Sequence, residues 1–146
     1  MTRLKLDHTT VVVDDLPAAI AFFEALGLSL VGEAAVEGPW VDRLCGLEGC
    51  QADIAMMRTP DGHGQLELTR YRHPGLVPLQ PAIAPPNALG LRQLMFEVDD
   101  LDAAMARLRP HGAVLMGEVV QYEAFYRLCY MRGPAGVIVA LAEAIA

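Results

Sequence analysis

The residues able to do chemistry in this chain fall at matching places in two stretches. The first is Leu6-Asp7-His8-Thr9-Thr10-Val11-Val12-Val13-Asp14-Asp15-Leu16, and the second is Leu91-Arg92-Gln93-Leu94-Met95-Phe96-Glu97-Val98-Asp99-Asp100-Leu101. At a constant offset of 85, Leu6 meets Leu91, Val13 meets Val98 and Asp14-Asp15-Leu16 meets Asp99-Asp100-Leu101. The same offset sets His8 against Gln93. A later pair of stretches also matches: Leu66-Glu67-Leu68 follows the turn Arg58-Thr59-Pro60-Asp61-Gly62, and Val139-Ala140-Leu141 follows Arg132-Gly133-Pro134-Ala135-Gly136. An imidazole, carboxylates and amides are groups that move protons or take up cations. The first copy carries His8 and Glu67 at these positions, where the second carries Gln93 and Ala140.

These residues need strands to aim them. Residues 4–13 alternate with period two, which predicts a strand. Thr9, Val11 and Val13 then face one way, and His8, Thr10 and Val12 the other. Asp14 or Asp15 caps a helix, Pro17 suits its first turn, Leu16, Ile20, Phe23 and Leu26 form its apolar stripe, and Gly27 stops it. Strands are expected over 28–36, 50–58 and 64–71, with residues 40–46 a short segment that fits a helical turn. Half of the ten prolines fall in 72–90, which reads as a stiff linker. The second half repeats the plan. A strand over 91–98 is followed by a helix capped by Asp99 or Asp100 through Leu101, Ala104, Met105 and Leu108. Strands are expected near 113–120, 125–132 and 136–143. The domains are thus 1–71, a linker over 72–90, and 91–146, within one compact domain overall.

The fold expected is α+β: two βαβββ modules forming curved mixed sheets around a cavity, with helices on the outer faces. By parity, His8, Thr10, Gln65, Glu67, Thr69, Gln93, Met95, Glu97 and Ala140 face the cavity, and Leu66, Leu68, Val137, Val139 and Leu141 pack under the helices. A solvent-exposed polar sheet face is the competing reading. Trp40, Tyr122, Phe125, Tyr126 and Tyr130 are read as cavity walls, with core or dimer contact the other reading. Arg127 and Arg92 are candidates for an anionic group. His63 and His73 read as loop residues, His111 as a helix-end residue, and Met56 and Met57 as core. Cys45 and Cys50 stand at the end of the 40–46 segment and just after it, and exposure would decide their reactivity.

Composition narrows the classes. The chain has 146 residues, 53% apolar and 20% charged, with a net charge of −7 and a pI near 4.9. It is long enough for a packed core and too apolar for disorder. No basic cluster suggests nucleic acid. No apolar run approaches the ~20 residues of a membrane helix, and the N-terminus lacks a signal-peptide core. Three cysteines without a CxxC motif fit a reducing cytoplasm.

At these residues the chain resembles the vicinal oxygen chelate superfamily, which includes glyoxalase I, bleomycin-resistance proteins and extradiol dioxygenases. The likeness runs from Leu4 to Glu143 and rests on LDHTTVVVDDLPAAIAFFEALGL, PDGHGQLELTRY, LRQLMFEVDDLDAAM and RGPAGVIVALAE. It implies metal ligands at His8, Glu67 and Gln93, with Glu67 also as the proton-moving carboxylate. Ala140 stands where these families place a carboxylate and offers no donor, so the metal site is degenerate. The residues read for a substrate pocket are Thr10, Trp40, Met95, Tyr122, Tyr126 and Arg127, with surface placement the other reading for Arg127; the resemblance implies a small-molecule ligand and a homodimer. One divalent metal ion is the implied cofactor, and a site without metal is the alternative. The function expected is a divalent-metal-dependent lyase or isomerase for a small substrate with two neighbouring oxygens. The alternative is metal-free sequestration of a small molecule.

Overall fold

A computed structural model describes residues 2–145. By chain contacts it divides into two compact units, Met1–Val77 and Pro78–Ala146. Each is built on one mixed sheet.

In the first unit, strand β1 covers Thr9–Val12, helix α1 Leu16–Leu26, β2 Ser29–Glu37, helix α2 Pro39–Cys45, β3 Gln51–Arg58 and β4 Gln65–His73. The sheet order is β1-β4-β3-β2. β1 lies parallel to β4, and the other neighbours are antiparallel. The expected strand over 4–13 is shorter in fact: residues 2–8 are outside it, Leu4 and Leu6 are exposed, and His8 stands one residue before β1. Among the described residues the β1 ladder begins only at Thr9, so the residues before it gain no pairing from extension.

Local chemistry explains the rest. Asp15 caps α1, its Oδ1 accepting from Ala18 N at 3.0 Å. Gly27 closes the helix at φ 125°, its N–H donating to Phe23 O and Glu24 O. The buried stripe of α1 is Leu16, Ala19, Phe22, Phe23 and Leu26. It replaces Ile20 of the expected stripe with Phe22, because the larger ring takes the sheet-facing position. Burying each ring contributes about 1.5–3 kcal/mol. Under α1 lie Val13, Ala55, Met57, Leu66 and Leu68, all buried.

In the second unit, β5 covers Gln93–Glu97, α3 Leu101–Leu108, β6 Val114–Leu115, β7 Val120–Tyr122, β8 Tyr126–Arg132 and β9 Ile138–Ala144. The order is β5-β9-β8-β6, with β7 also on β8 and β5 parallel to β9. Asp100 caps α3 through Ala103 N at 3.0 Å. The buried face of α3 is Leu101, Ala104, Met105 and Leu108, as the spacing predicts. The strand expected over 113–120 is broken into β6 and β7. The first copy is irregular at the same place, where β2 shifts register between Leu30 and Gly32. In the second copy the chain between Leu115 and Val120 is two residues longer than its β8 partner between Leu128 and Met131, so the ladder cannot stay closed.

Among the described residues, none of the helices is long and apolar enough to cross a membrane.

Candidate functional site

Pairing puts the two copies in the same register. Thr10 sits opposite Glu67 in the first sheet, and Met95 sits opposite Ala140 in the second. These are the positions that the internal repeat equates. Parity then puts His8, Thr10, Gln65, Glu67, Thr69 and Tyr71 on the sheet face away from α1. Met56, Ile54 and Ala52 share that face, being paired with Glu67, Thr69 and Tyr71.

His8 is the centre of a connected set. Its Nε2 lies 2.9 Å from Glu67 Oε2, and its Nδ1 lies 2.8 Å from Asp7 Oδ2. The hydrogen bond from the His8 ring, helped by its charge and that of Lys5, holds the Asp7 carboxyl below the usual carboxylate range. The other Glu67 oxygen, Oε1, accepts from the Thr69 hydroxyl at 2.7 Å. Thr69 is buried, and the side chains of His8 and Glu67 are 29% and 18% exposed. Gln65 steadies the loop before β1, its amide donating to Asp7 O at 3.0 Å while its carbonyl accepts from Arg58. Both carboxylate oxygens of Glu67 and both ring nitrogens of His8 therefore have partners.

This arrangement suits a cation. Two donors each ~2.1 Å from one ion sit about 3 Å apart when they meet it at a right angle. The His8–Glu67 separation matches that. Asp7 stands where a carboxylate orients a ligating histidine through its second nitrogen. The pair falls short of three donors: among the described residues no cluster of three His, Cys, Asp or Glu residues could hold a metal ion.

The second sheet is different. Gln93 is half-buried beside Ile138, and Ala140 is fully buried. Ile138 and Ala142, on the same face of β9, are buried too. The expectation of a polar face thus describes the first sheet but not β9. A methyl on a fully buried strand position leaves no donor and no room for a hydrated one.

The remaining pocket candidates separate. Thr10 is exposed on the His8 face. Met95, opposite Ala140, is half exposed, and Tyr130 also pairs with Ala140. Tyr122 and Tyr126 pair across β7 and β8, both exposed, and Tyr126 shares the Tyr130 face. Trp40 stands on α2 at 54% exposure. Arg127 is on the opposite face of β8 from Tyr126. It binds Asp102 of α3 through both terminal nitrogens at 3.2 Å and lies 3.7 Å from Glu143. Glu143 in turn accepts from Leu101 N at 2.8 Å, so this cluster pins the start of α3 to the sheet. Parity sets Arg127 on the face of β8 that meets α3.

Sequence reading also passed over Asp7, although its place next to His8 was the available signal. Tyr71 was passed over too. Burial first, and then Cys45, Cys50 and Glu67, push its hydroxyl pKa up, which marks it as a neighbour of that carboxylate.

The comparisons agree with this fold. Residues 5–141 match the Glyoxalase/Bleomycin resistance protein/Dioxygenase superfamily. The chain belongs to that superfamily. A crystal structure of the glyoxalase family protein APC24694 from Bacillus cereus is 48% identical, covers 100% of this chain and 97% of its own, and superposes with a TM-score of 0.94. The protein YaeR of Escherichia coli (strain K12) is 29% identical over 74% of this chain and 71% of its own. A glyoxalase I mutant from Zea mays shares the fold at 21% identity and a TM-score of 0.64, over 92% of this chain and 45% of that one.

Proposed function

We propose that the chain is a divalent-metal-dependent lyase or isomerase of the glyoxalase kind, acting on a small substrate with two neighbouring oxygens. The observation that carries this reading is the His8–Glu67 pair, each member oriented by its own partner, Asp7 for one and Thr69 for the other. His8 Nε2 and Glu67 Oε2 would hold the ion, and the Gln93 amide oxygen is a proposed donor of the second unit. A bound divalent ion supplies Lewis-acid stabilisation of the charge that develops on two adjacent substrate oxygens.

The chain's own residues do the rest. Glu67 completes the hold on the ion or takes the proton from the carbon beside those oxygens. Thr69 keeps Oε1 of Glu67 oriented, and Asp7 keeps Nε2 of His8 pointed toward Glu67. Thr10 flanks the pair, with Trp40 a proposed pocket wall of the first unit; Met95, Tyr122 and Tyr126 are proposed as pocket residues of the second. The family resemblance supports a homodimer, and cysteine usage supports a cytoplasmic location.

Elemental analysis of protein purified without chelators tests the reading. Stoichiometric divalent metal is expected, and its loss in His8→Ala. Metal-free protein that gains no thermal stability from added divalent ions overturns it. The buried, donor-free Ala140 is the observation that favours the second reading, a metal-free protein that sequesters a small molecule.

A further inference from the structure

Two cysteines bracket the loop at the end of α2. Asp42 and Cys45 are three residues apart on that helix and so share a face. The Asp42 carboxylate accepts from Cys50 N at 2.7 Å and from Gly49 N at 3.0 Å, folding the following loop back onto the face that carries Cys45. Gly46 at φ 70° and Gly49 at φ 67° make the reversal, and His73 Nδ1 bonds Gly49 O at 2.8 Å from β4. Cys50 is thereby anchored to the carboxylate one turn before Cys45, and two residues on Ala52 pairs with Tyr71 of β4. Cys45 is exposed and Cys50 is buried.

We propose that Cys45 and Cys50 are a peroxide-responsive dithiol that closes to an intrachain disulfide next to Tyr71. The exposed partner reacts first. The Cys45 thiolate attacks one oxygen of hydrogen peroxide, the O–O bond breaks, and hydroxide leaves, taking a proton to become water. Cys50 then attacks the sulfenic sulfur, forming the S–S bond and releasing a second water. Two thiols are oxidised and one peroxide is reduced. Closing the bond tightens the loop that leads into β3, whose Ala52 pairs with Tyr71 on the strand face that also carries Glu67 and Thr69. The switch thereby reports oxidant to the face on which His8 and Glu67 meet. Buried Cys129, on β8 in the other unit, takes no part. This inference stands on the thiol geometry and does not require a bound metal.

The test is thiol counting and mass spectrometry on the full chain after one equivalent of hydrogen peroxide. Wild type is expected to lose two of its three free thiols and the mass of two hydrogens, with a Cys45–Cys50 link in the digest, all reversed by dithiothreitol. Trp40, the one tryptophan, shares α2 with Cys45, and its fluorescence should change in step. Cys50→Ser should stop at a Cys45 sulfenic acid that dimedone traps, Cys45→Ser should keep both remaining thiols, and Cys129→Ser should behave as wild type. Circular dichroism identifies any variant that fails to fold, and the wild-type result decides without them. Three intact thiols, a Cys45 sulfinic acid beside a free Cys50, or a link between two chains overturns the proposal.

Discussion

Thr69→Val removes one hydroxyl and almost nothing else. Thr69 is 2% exposed, and valine has nearly its shape. The lost group donates to Glu67 Oε1 across 2.7 Å. A hydrogen bond to a charged acceptor contributes about 1.5–3 kcal/mol. Glu67 keeps 18% of its side chain in solvent, so water replaces part of that bond. The added methyl, buried, returns up to about 0.8 kcal/mol. The net expectation is a loss of about 1–2 kcal/mol, a fall of roughly 3–8 °C in Tm for a chain of this size. Urea unfolding of wild type, Thr69→Val, Glu67→Gln and the double variant separates this bond from general packing. A coupling of about 1 kcal/mol is expected between the two positions. Divalent-ion affinity, read by calorimetry, should weaken roughly tenfold in Thr69→Val, as other residues that orient ligands do. If Thr69→Val is as stable as wild type within about 0.3 kcal/mol and binds metal equally well, Thr69 does not orient Glu67 and the reasoning fails.

Two other outcomes follow from the second unit. The hydrogen bonds and charge of Arg127 hold the Asp102 carboxyl below its ordinary value. A carboxyl with a depressed native pKa stabilises the fold above its unfolded value near 3.9 and loses that contribution as pH falls through the native value. Asp102→Asn should therefore lower the urea midpoint at pH 7 and leave it unchanged at a pH below the native value; an equal loss at both would refute the linkage. Ala140→Glu restores the carboxylate that the first copy has at Glu67 but places it at a fully buried position. Without metal it should destabilise by several kcal/mol, as an unpaired buried charge does, and added divalent ion should recover part of that in a thermal scan. No recovery would mean the position cannot join an ion site.

How much was legible in the sequence depends on how local the cause is. Asp15 and Asp100 as helix caps, Gly27 as a stop, and the apolar face of α3 follow from interactions within one turn, so spacing alone predicts them. The repeat equates Thr10 with Met95 and Glu67 with Ala140, and the strand pairing sets each of the two couples opposite one another in its own sheet. Strand ends were less legible. Whether residues 4–8 extend β1 depends on a neighbour to pair with, and the split of β6 from β7 depends on a length mismatch with β8. Arg127 shows the same limit, since its role lies with Asp102, 25 positions away, across a face that its own neighbours do not reveal.

By itself the sequence determined which residues carry chemistry and that they recur in two copies, one with His8 and Glu67 and one with Gln93 and Ala140. Residue type and period are sufficient for that. Only the tertiary structure decided that His8 and Glu67 touch, that Asp7 and Thr69 hold their outer atoms, and that Asp42 folds the loop ending in Cys50 back onto α2. His8 and Glu67 meet because β1 pairs with β4, which then lets Asp7 and Thr69, one and two residues away from them, hold the far atoms of each side chain. Their distances are set by backbone pairing and by a single carboxylate, Asp42, which no periodicity records.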